Sequence, residues 1–144
     1  MILEGTYQFN SPRERLWEFI TDPAKIGKCL SDLKTLDVQD ENHFLAVIRV
    51  GVGPIKSDFK FKIEITEKTP PHHARLKAAG TGSGSSINLD TVVELQETGS
   101  GSSLSQKSDV KVGGMMASLG QRVINETAAK TVASVFEAMQ KQLA

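Results

Sequence analysis

Residues 55–65 read Ile-Lys-Ser-Asp-Phe-Lys-Phe-Lys-Ile-Glu-Ile, and this stretch decides the fold class. Every even-numbered position is charged, whereas every odd-numbered position except Ser57 is apolar. Alternation with a period of two is typical of a β-strand that has one dry face and one solvated face. Sheets with one solvated face are commonly antiparallel, so the stretch predicts an antiparallel sheet.

The same alternation continues on both sides of this stretch and is interrupted by turn residues. It predicts six strands, at about residues 33–39, 43–51, 54–67, 73–80, 86–96 and 103–112. A further short strand pattern covers Glu4 to Phe9. The Gly/Ser-rich stretches 80–85 and 99–103 lie at hairpin spacing, and we interpret them as mobile loops rather than domain boundaries.

Two short helices are predicted directly after the first strand. Ser11 and Glu14 have the spacing of a capping box, and Pro12 suits the first position of a helix that continues to Ile20. Asp22-Pro23 repeats the same start signal for a second short helix, which ends near residues 27–29.

A long C-terminal helix is predicted after Gly113-Gly114, where a helical period returns for about 30 residues and a length of about 40 Å. Such a helix can cover the whole dry face of the sheet. We therefore expect an α+β fold in which a seven-stranded curved antiparallel sheet wraps around this helix. The length of 144 residues fits one domain over residues 1–144.

Composition and charge exclude several classes of function. Lys plus Arg and Asp plus Glu both total 17, so there is no net field to attract nucleic acid. A single cysteine, Cys29, excludes an internal disulfide and is typical of a reducing cytoplasm. No apolar run approaches the roughly 18 residues of a membrane span, and no secretion signal precedes the first strand. We expect a cytoplasmic protein without a transmembrane segment.

The histidines do not predict a metal site. His72 and His73 are adjacent, so on a strand they point to opposite faces, and His43 is expected to stand alone in a turn. No metal and no cofactor is predicted.

Several of the side chains expected on the inner face are small or weakly polar. They include Ala46, Ser57, Ala78, Thr91 and Ser108, where a packed interior would use larger apolar residues. An apolar cavity with a few hydroxyl groups has the composition of a small-molecule pocket, whereas the alternative is an interior filled by Phe and Met. The residues predicted to bind a ligand are Trp17, Ala46, Ile48, Val50, Ser57, Phe59, Phe61, Leu76, Ala78, Leu89, Thr91, Ser108, Met116, Leu119 and Val123.

The same alternation argues against catalysis. It puts no Asp, Glu, His, Lys or Cys on the inner face, whereas acid–base chemistry needs a titratable group within reach of the substrate. We therefore expect a binding module and no catalytic residue. Two alternatives stay open: a small cyclase or aromatase-like enzyme, if Asp90, Glu94 or His73 points inward, and a protein–protein adaptor with a vestigial cavity.

Several local strings carry a family resemblance over nearly the whole chain. They are residues 11–20 with Asp22-Pro23, then Lys28-Cys29-Leu30, residues 50–56 (VGVGPIK), Pro70-Pro71, and Val112-Gly113-Gly114 followed by Leu119-Gly120-Gln121-Arg122. The chain resembles the G-subunit family of carbon monoxide dehydrogenase, within the START-like group of helix-grip ligand-binding domains. It departs from the family pattern at Ser31-Asp32, where Pro-Gly is usual, and at Phe61, which puts a large ring where the family usually has glycine.

The resemblance implies a helix-grip fold and an accessory role. It implies binding of a hydrophobic small molecule of the lipid or quinone class, and assistance to a molybdenum-containing carbon monoxide dehydrogenase or a related hydroxylase. It does not imply that this chain performs redox chemistry, and an iron–sulfur site would need several cysteines. Longer family members carry a C-terminal extension thought to aid membrane association. Because the helix here runs to the end at Ala144, we expect no membrane recruitment.

Overall fold

The computed structural model describes residues 1–144, and its elements follow the predicted order. They are β1 (Ile2–Phe9), α1 (Arg13–Thr21), α2 (Pro23–Gly27), β2 (Leu33–Asp40), β3 (His43–Val52), β4 (Ile55–Thr69), β5 (His73–Gly82), β6 (Ser85–Thr98), β7 (Gly101–Gly114), a 3₁₀ helix (Met115–Leu119) and α3 (Gln121–Gln142). The predicted fold class is confirmed.

The strands form one antiparallel sheet of seven strands in the order β1-β7-β6-β5-β4-β3-β2. Its register pairs Ala46 with Phe61, Phe61 with Gly80, and Gly80 with Ile87. Since directly paired residues share a face, this register confirms the inward positions predicted from the alternation. The inward side is the concave face of the sheet, toward α3, and the outward side is the convex face.

Two separate hydrophobic clusters form the core between the sheet and the helices. Cluster one lies where α1 and the end of α3 meet the sheet and contains Phe9, Leu16, Trp17, Phe19, Cys29, Ala74, Leu95, Leu104, Met139 and Leu143. Cluster two lies at the start of α3 and contains Val52, Phe59, Met116 and Ile124. The helix is therefore packed at both ends.

The C-terminal helix is shorter than the prediction, which was wrong at its beginning. Gly120 adopts φ 93° and interrupts the helical stretch, so a 3₁₀ helix precedes α3. Glycine suits this conformation, because a Cβ disfavours positive φ. The 22 residues of α3 span about 33 Å.

The predicted capping box is also wrong. Pro12 occupies the N-cap position of α1, and no side chain caps this helix. Ser11 is buried and instead donates from its Oγ to the carbonyl oxygen of Leu143 at 2.7 Å, while Ser102 Oγ donates to the Ser11 carbonyl. Ser11 thus joins the start of α1 to the end of α3. The second cap is confirmed, because the Asp22 carboxylate accepts from the N–H of Ala24.

The two Gly/Ser-rich stretches are tight turns, and their prediction as mobile loops is wrong. Strands β5 and β6 are joined by Ser83 and Gly84 alone, which have φ of 48° and 68°. Positive φ at both central residues is the type I′ arrangement that matches strand twist. Gly99 and Ser100 alone join β6 to β7.

Phe61 lies against a cross-strand glycine. A Cβ at Gly80 would lie 2.6 Å from Phe61 Cδ1 and 2.8 Å from Cζ, so the ring covers the Gly80 backbone. Phe59 and Phe61 are stacked, with centroids 6.2 Å apart. The ring at position 61 therefore occupies the space that the missing side chain of Gly80 leaves on the concave face.

We expect Gly80→Ala to lower the free energy of unfolding by about 1–3 kcal/mol, because the new methyl group displaces the Phe61 ring. Urea unfolding measures this change. Gly99→Ala is the matched control, since nothing lies within 4 Å of its Cβ position, and its effect should stay within about 0.5 kcal/mol. When Phe61 is replaced by Leu, Gly80→Ala should lower the free energy of unfolding by clearly less than it does in the native chain. An equal decrease in both chains would contradict the explanation that the methyl group displaces the Phe61 ring.

Candidate functional site

The concave face is apolar along its length but is incompletely packed in its middle. Between the two clusters the inward side chains remain partly exposed, and they are Ile48, Ile63, Leu76, Leu89, Thr91 and Val110. A filled interior would bury such side chains almost completely, because native cores pack as densely as organic crystals. Solvent-accessible space therefore lies along the middle of the concave face.

Helix α3 is held against the sheet near its two ends. The ring of Phe136 stacks on Tyr7 of β1, with centroids 4.0 Å apart. Val123 Cγ1 lies 3.8 Å from the Cβ position of Gly53, in the turn between β3 and β4. The helix positions on the same face between these contacts are Thr127, Ala128 and Val132. These short side chains do not fill the gap between helix and sheet.

A chain of hydrogen bonds lies on the concave face. Thr91 Oγ1 and Ser108 Oγ are 2.9 Å apart, and Ser108 Oγ donates to Gln106 Oε1 at 2.7 Å. Gln106 and Ser108 are both buried. A charged side chain reaches this side only at the rim, where a register shift after Ile65 places Lys68 in the cleft beside the short helices and its Nζ donates to the carbonyl oxygen of Glu41. The middle of the face thus offers hydroxyl and amide groups to a bound molecule.

The charged residues that could have supported catalysis lie on the convex face. His73 pairs with Glu94 across β5 and β6. The Arg75 guanidinium donates to both carboxylate oxygens of Asp90, at 2.9 and 2.8 Å, and this pairing lowers the pKa of Asp90. None of these groups faces the interior, so the arrangement that would favour a cyclase is not found.

His73 bridges two carboxylates on this convex face. Its Nδ1 lies 2.5 Å from Glu94 Oε1 and its Nε2 lies 2.9 Å from Glu67 Oε1. A carboxylate can only accept, so both contacts are satisfied only when the ring carries a proton on each nitrogen. The hydrogen bonds to Glu94 and Glu67 accordingly raise the pKa of His73.

His43 makes a similar bridge, and its prediction as an isolated turn residue is wrong. Its Nδ1 lies 2.8 Å from Asp40 Oδ1 and its Nε2 lies 3.1 Å from Glu64 Oε2. The hydrogen bond to Asp40 is the main cause that raises the pKa of His43. No group of three or more His, Cys, Asp or Glu side chains is arranged to hold a metal ion. Cys29 is buried in cluster one, and burial raises the pKa of its thiol.

Two cavities adjoin the concave face. A cleft of about 490 Å³ separates the two short helices from β2–β4, and Glu18, Thr21, Asp22, Pro23, Lys25, Val38, Glu41, Phe44 and Lys68 line it. A cavity of about 240 Å³ lies between β7 and the start of α3, lined by Met1, Val110, Lys111, Val112, Ala117, Gln121 and Ile124. Only Val38 and Phe44 among the residues that line the first are hydrophobic, whereas only Lys111 and Gln121 among those that line the second are not.

The predicted ligand-binding residues fall into three groups. Those on the concave face of the sheet are Ala46, Ile48, Val50, Ser57, Phe61, Leu76, Ala78, Leu89, Thr91 and Ser108. Trp17 belongs to cluster one, and Phe59 and Met116 belong to cluster two. Leu119 packs against cluster two, and Val123 is 36% exposed on α3.

Sequence reasoning missed two residues of this region, Tyr7 and Gln106. Gln106 alternates with Leu104 and Ser108 on the inner face that the sequence predicts, but a long polar side chain is not typical of an apolar pocket. Tyr7 lies on β1, whose partner β7 is about 100 residues away in sequence. The alternation of Leu3, Gly5 and Tyr7 along β1 is the signal that could have placed the tyrosine on the inner side.

A family model that describes the G subunit of carbon monoxide dehydrogenase (CoxG) matches residues 5–144. The chain belongs to the CoxG family. A conserved protein from Geobacillus kaustophilus shares 26% identity with this CoxG chain, with a TM-score of 0.92 over 99% of this chain and 95% of that one. A START superfamily protein from Mycobacterium smegmatis shares 11% identity, with a TM-score of 0.75 over 99% and 96%. No curated protein matches.

The CoxG family and the START-like helix-grip fold indicate a ligand-binding module. A protein from Thermus thermophilus has the same fold at 11% identity, with a TM-score of 0.75 over 99% of this chain and 97% of that one. None of the helices combines the length and the apolar character that crossing a bilayer requires.

The raised pKa of His73 predicts a pH-dependent contribution to stability. Because the pKa of His73 is higher in the folded chain than in the unfolded chain, protonation of His73 stabilises the fold. This contribution to the free energy of unfolding is complete below the unfolded-state pKa of about 6.5 and is lost as the pH rises through the folded-state pKa. His73→Gln should therefore lower the urea midpoint more at about pH 6 than at about pH 9. His72→Gln, at the exposed neighbouring residue, controls for the substitution itself. An equal loss at both pH values would contradict the prediction.

Proposed function

We propose that this chain is a non-catalytic binding module that holds a hydrophobic small molecule, of the lipid or quinone class, between the sheet and α3. In this role residues 1–144 form one START-like domain of a cytoplasmic protein. The observation that carries it is the partly exposed apolar wall between the two clusters. Apolar side chains left accessible inside a fold are a favourable surface for an apolar ligand.

The ligand would lie beneath the middle of α3, against Leu76 and Leu89 on the sheet. The predicted site residues on the concave face and at the start of α3 would contact the ligand. Trp17 would border the site from cluster one. Thr91 and Ser108 supply hydroxyl groups in an otherwise apolar wall. Such a combination, mostly apolar with few polar groups, is the usual composition of small-molecule sites.

A binding role fits the placement of charge better than catalysis does. The acid–base groups Asp90, Glu94 and His73 are engaged with one another and with Arg75 on the convex face. A proton donor or acceptor must reach the reacting atom, and these groups lie on the other side of the sheet. We therefore propose no enzymatic activity for this chain.

We further propose that the module serves a molybdenum-containing enzyme of the carbon monoxide dehydrogenase type. The support is membership of the CoxG family, whose description names carbon monoxide dehydrogenase. Affinity purification of the tagged chain from its native extract tests this role. Enrichment of a molybdenum hydroxylase is the expected result, and its repeated absence would contradict the partnership without affecting ligand binding.

Filling the proposed site should abolish binding. Leu89→Trp adds a large side chain to the partly exposed wall, and we expect it to weaken binding of methyl oleate or of a decyl-substituted benzoquinone by about tenfold or more. Native mass spectrometry and equilibrium dialysis measure the occupancy and the affinity. Because Leu89 is already partly exposed, we expect the variant to unfold at nearly the same temperature as the native chain.

Val92→Trp is the matched control, since it introduces the same side chain on the opposite face of β6. It should leave the affinity unchanged. Failure of the native chain to bind either class of ligand would contradict the proposed function. Equal weakening by both variants would contradict the proposed position of the site.

A further inference from the structure

Gln106 is a buried side chain with an unused hydrogen-bond donor. It is only 4% exposed and lies on the concave side of β7, opposite Gly5 of β1 and Val93 of β6. Its Oε1 accepts from Ser108 Oγ, but its Nε2 makes no hydrogen bond within the chain. The fully enclosed side-chain polar atoms that lack a partner are Arg13 Nε and Asn42 Oδ1, so Gln106 Nε2 is not sealed off and can donate to a molecule that enters the interior.

A second free donor, the Tyr7 hydroxyl, lies over the strand partner of Gln106. A Cβ at Gly5 would lie 3.0 Å from Tyr7 Oη, so the tyrosine hydroxyl rests over the backbone of the residue that pairs with Gln106. Tyr7 Oη also makes no hydrogen bond within the chain. Stacking on Phe136, with an interplanar angle of 6°, holds the tyrosine ring in this position.

The direction of the hydrogen-bond chain leaves the amide N–H free. Because the proton of Ser108 is donated to Gln106 Oε1, the contact between Ser108 and Thr91 is completed by the Thr91 hydroxyl as donor. The acceptor atom of Gln106 is thereby occupied. The amide can then offer only its N–H groups to the interior, next to the hydroxyl of Tyr7.

We propose that Tyr7 Oη and Gln106 Nε2 form a two-donor anchor for a neutral carbonyl oxygen of the bound apolar molecule. This inference rests on the proposed function and specifies which ligands the site prefers. A carbonyl oxygen has two lone pairs and can accept from both donors. An ionised carboxylate is disfavoured, because no Lys or Arg faces the middle of the concave face to offset its desolvation.

Two compounds of nearly equal shape test the anchor. 9-Fluorenone carries a carbonyl group where fluorene carries a methylene group, so only fluorenone can accept from the two donors. Equilibrium dialysis gives both dissociation constants for the native chain, Gln106→Leu and Tyr7→Phe. We expect each variant to weaken fluorenone binding by roughly threefold to tenfold, the value of one neutral hydrogen bond, and to change fluorene binding less than about twofold.

Tyr7→Phe removes a single oxygen atom and keeps the stacked ring, so it remains informative if Gln106→Leu does not fold. Gln96→Leu, on the exposed convex side of β6, is the control for the glutamine substitution. Binding of both compounds with no selective loss in either variant would overturn the anchor and leave the proposed function intact. Binding of neither compound by the native chain would overturn both.

Discussion

A straight helix and a curved sheet can pack closely only over part of their length, and the rest of this structure depends on that mismatch. Helix α3 reaches the sheet through Ile124 near its start and through Met139 near its end. Between these points the helix carries Ala128 and Val132, which pack into neither cluster. The space on the concave face thus follows from the geometry of the whole fold and not from one small residue.

This division separates the residues that stabilise the fold from those that are free to bind. Phe59 and Leu16 are fully buried in the two clusters, and large buried side chains of this kind supply most of the hydrophobic free energy of folding. The hydrogen bond from Ser11 to Leu143 fixes the end of the helix to the start of α1. The middle can therefore remain loosely filled without loss of the fold.

The sequence predicted what depends on local pattern and failed where distant parts of the chain meet. The alternation in residues 55–65 predicted the faces of the sheet, because a strand has only two faces and its register keeps them apart. Ser11 has a local capping pattern, but its partner is 132 residues away. The break at Gly120 needs φ 93°, which a helical period does not reveal. Tyr7 and Gln106 come to neighbouring positions on one face only when the first and last strands pair.

The polar chain on the concave face is difficult to explain by packing alone. Leucine in place of Gln106 would fill a similar volume without a polar group. Valine in place of Thr91 and alanine in place of Ser108 would likewise avoid the cost of desolvating a hydroxyl group. Polar groups in a protein interior are maintained at a cost in stability, which a bound molecule can offset by supplying the missing acceptor. The N–H of Gln106 is not sealed off from solvent, so it remains available to a bound molecule that offers an acceptor.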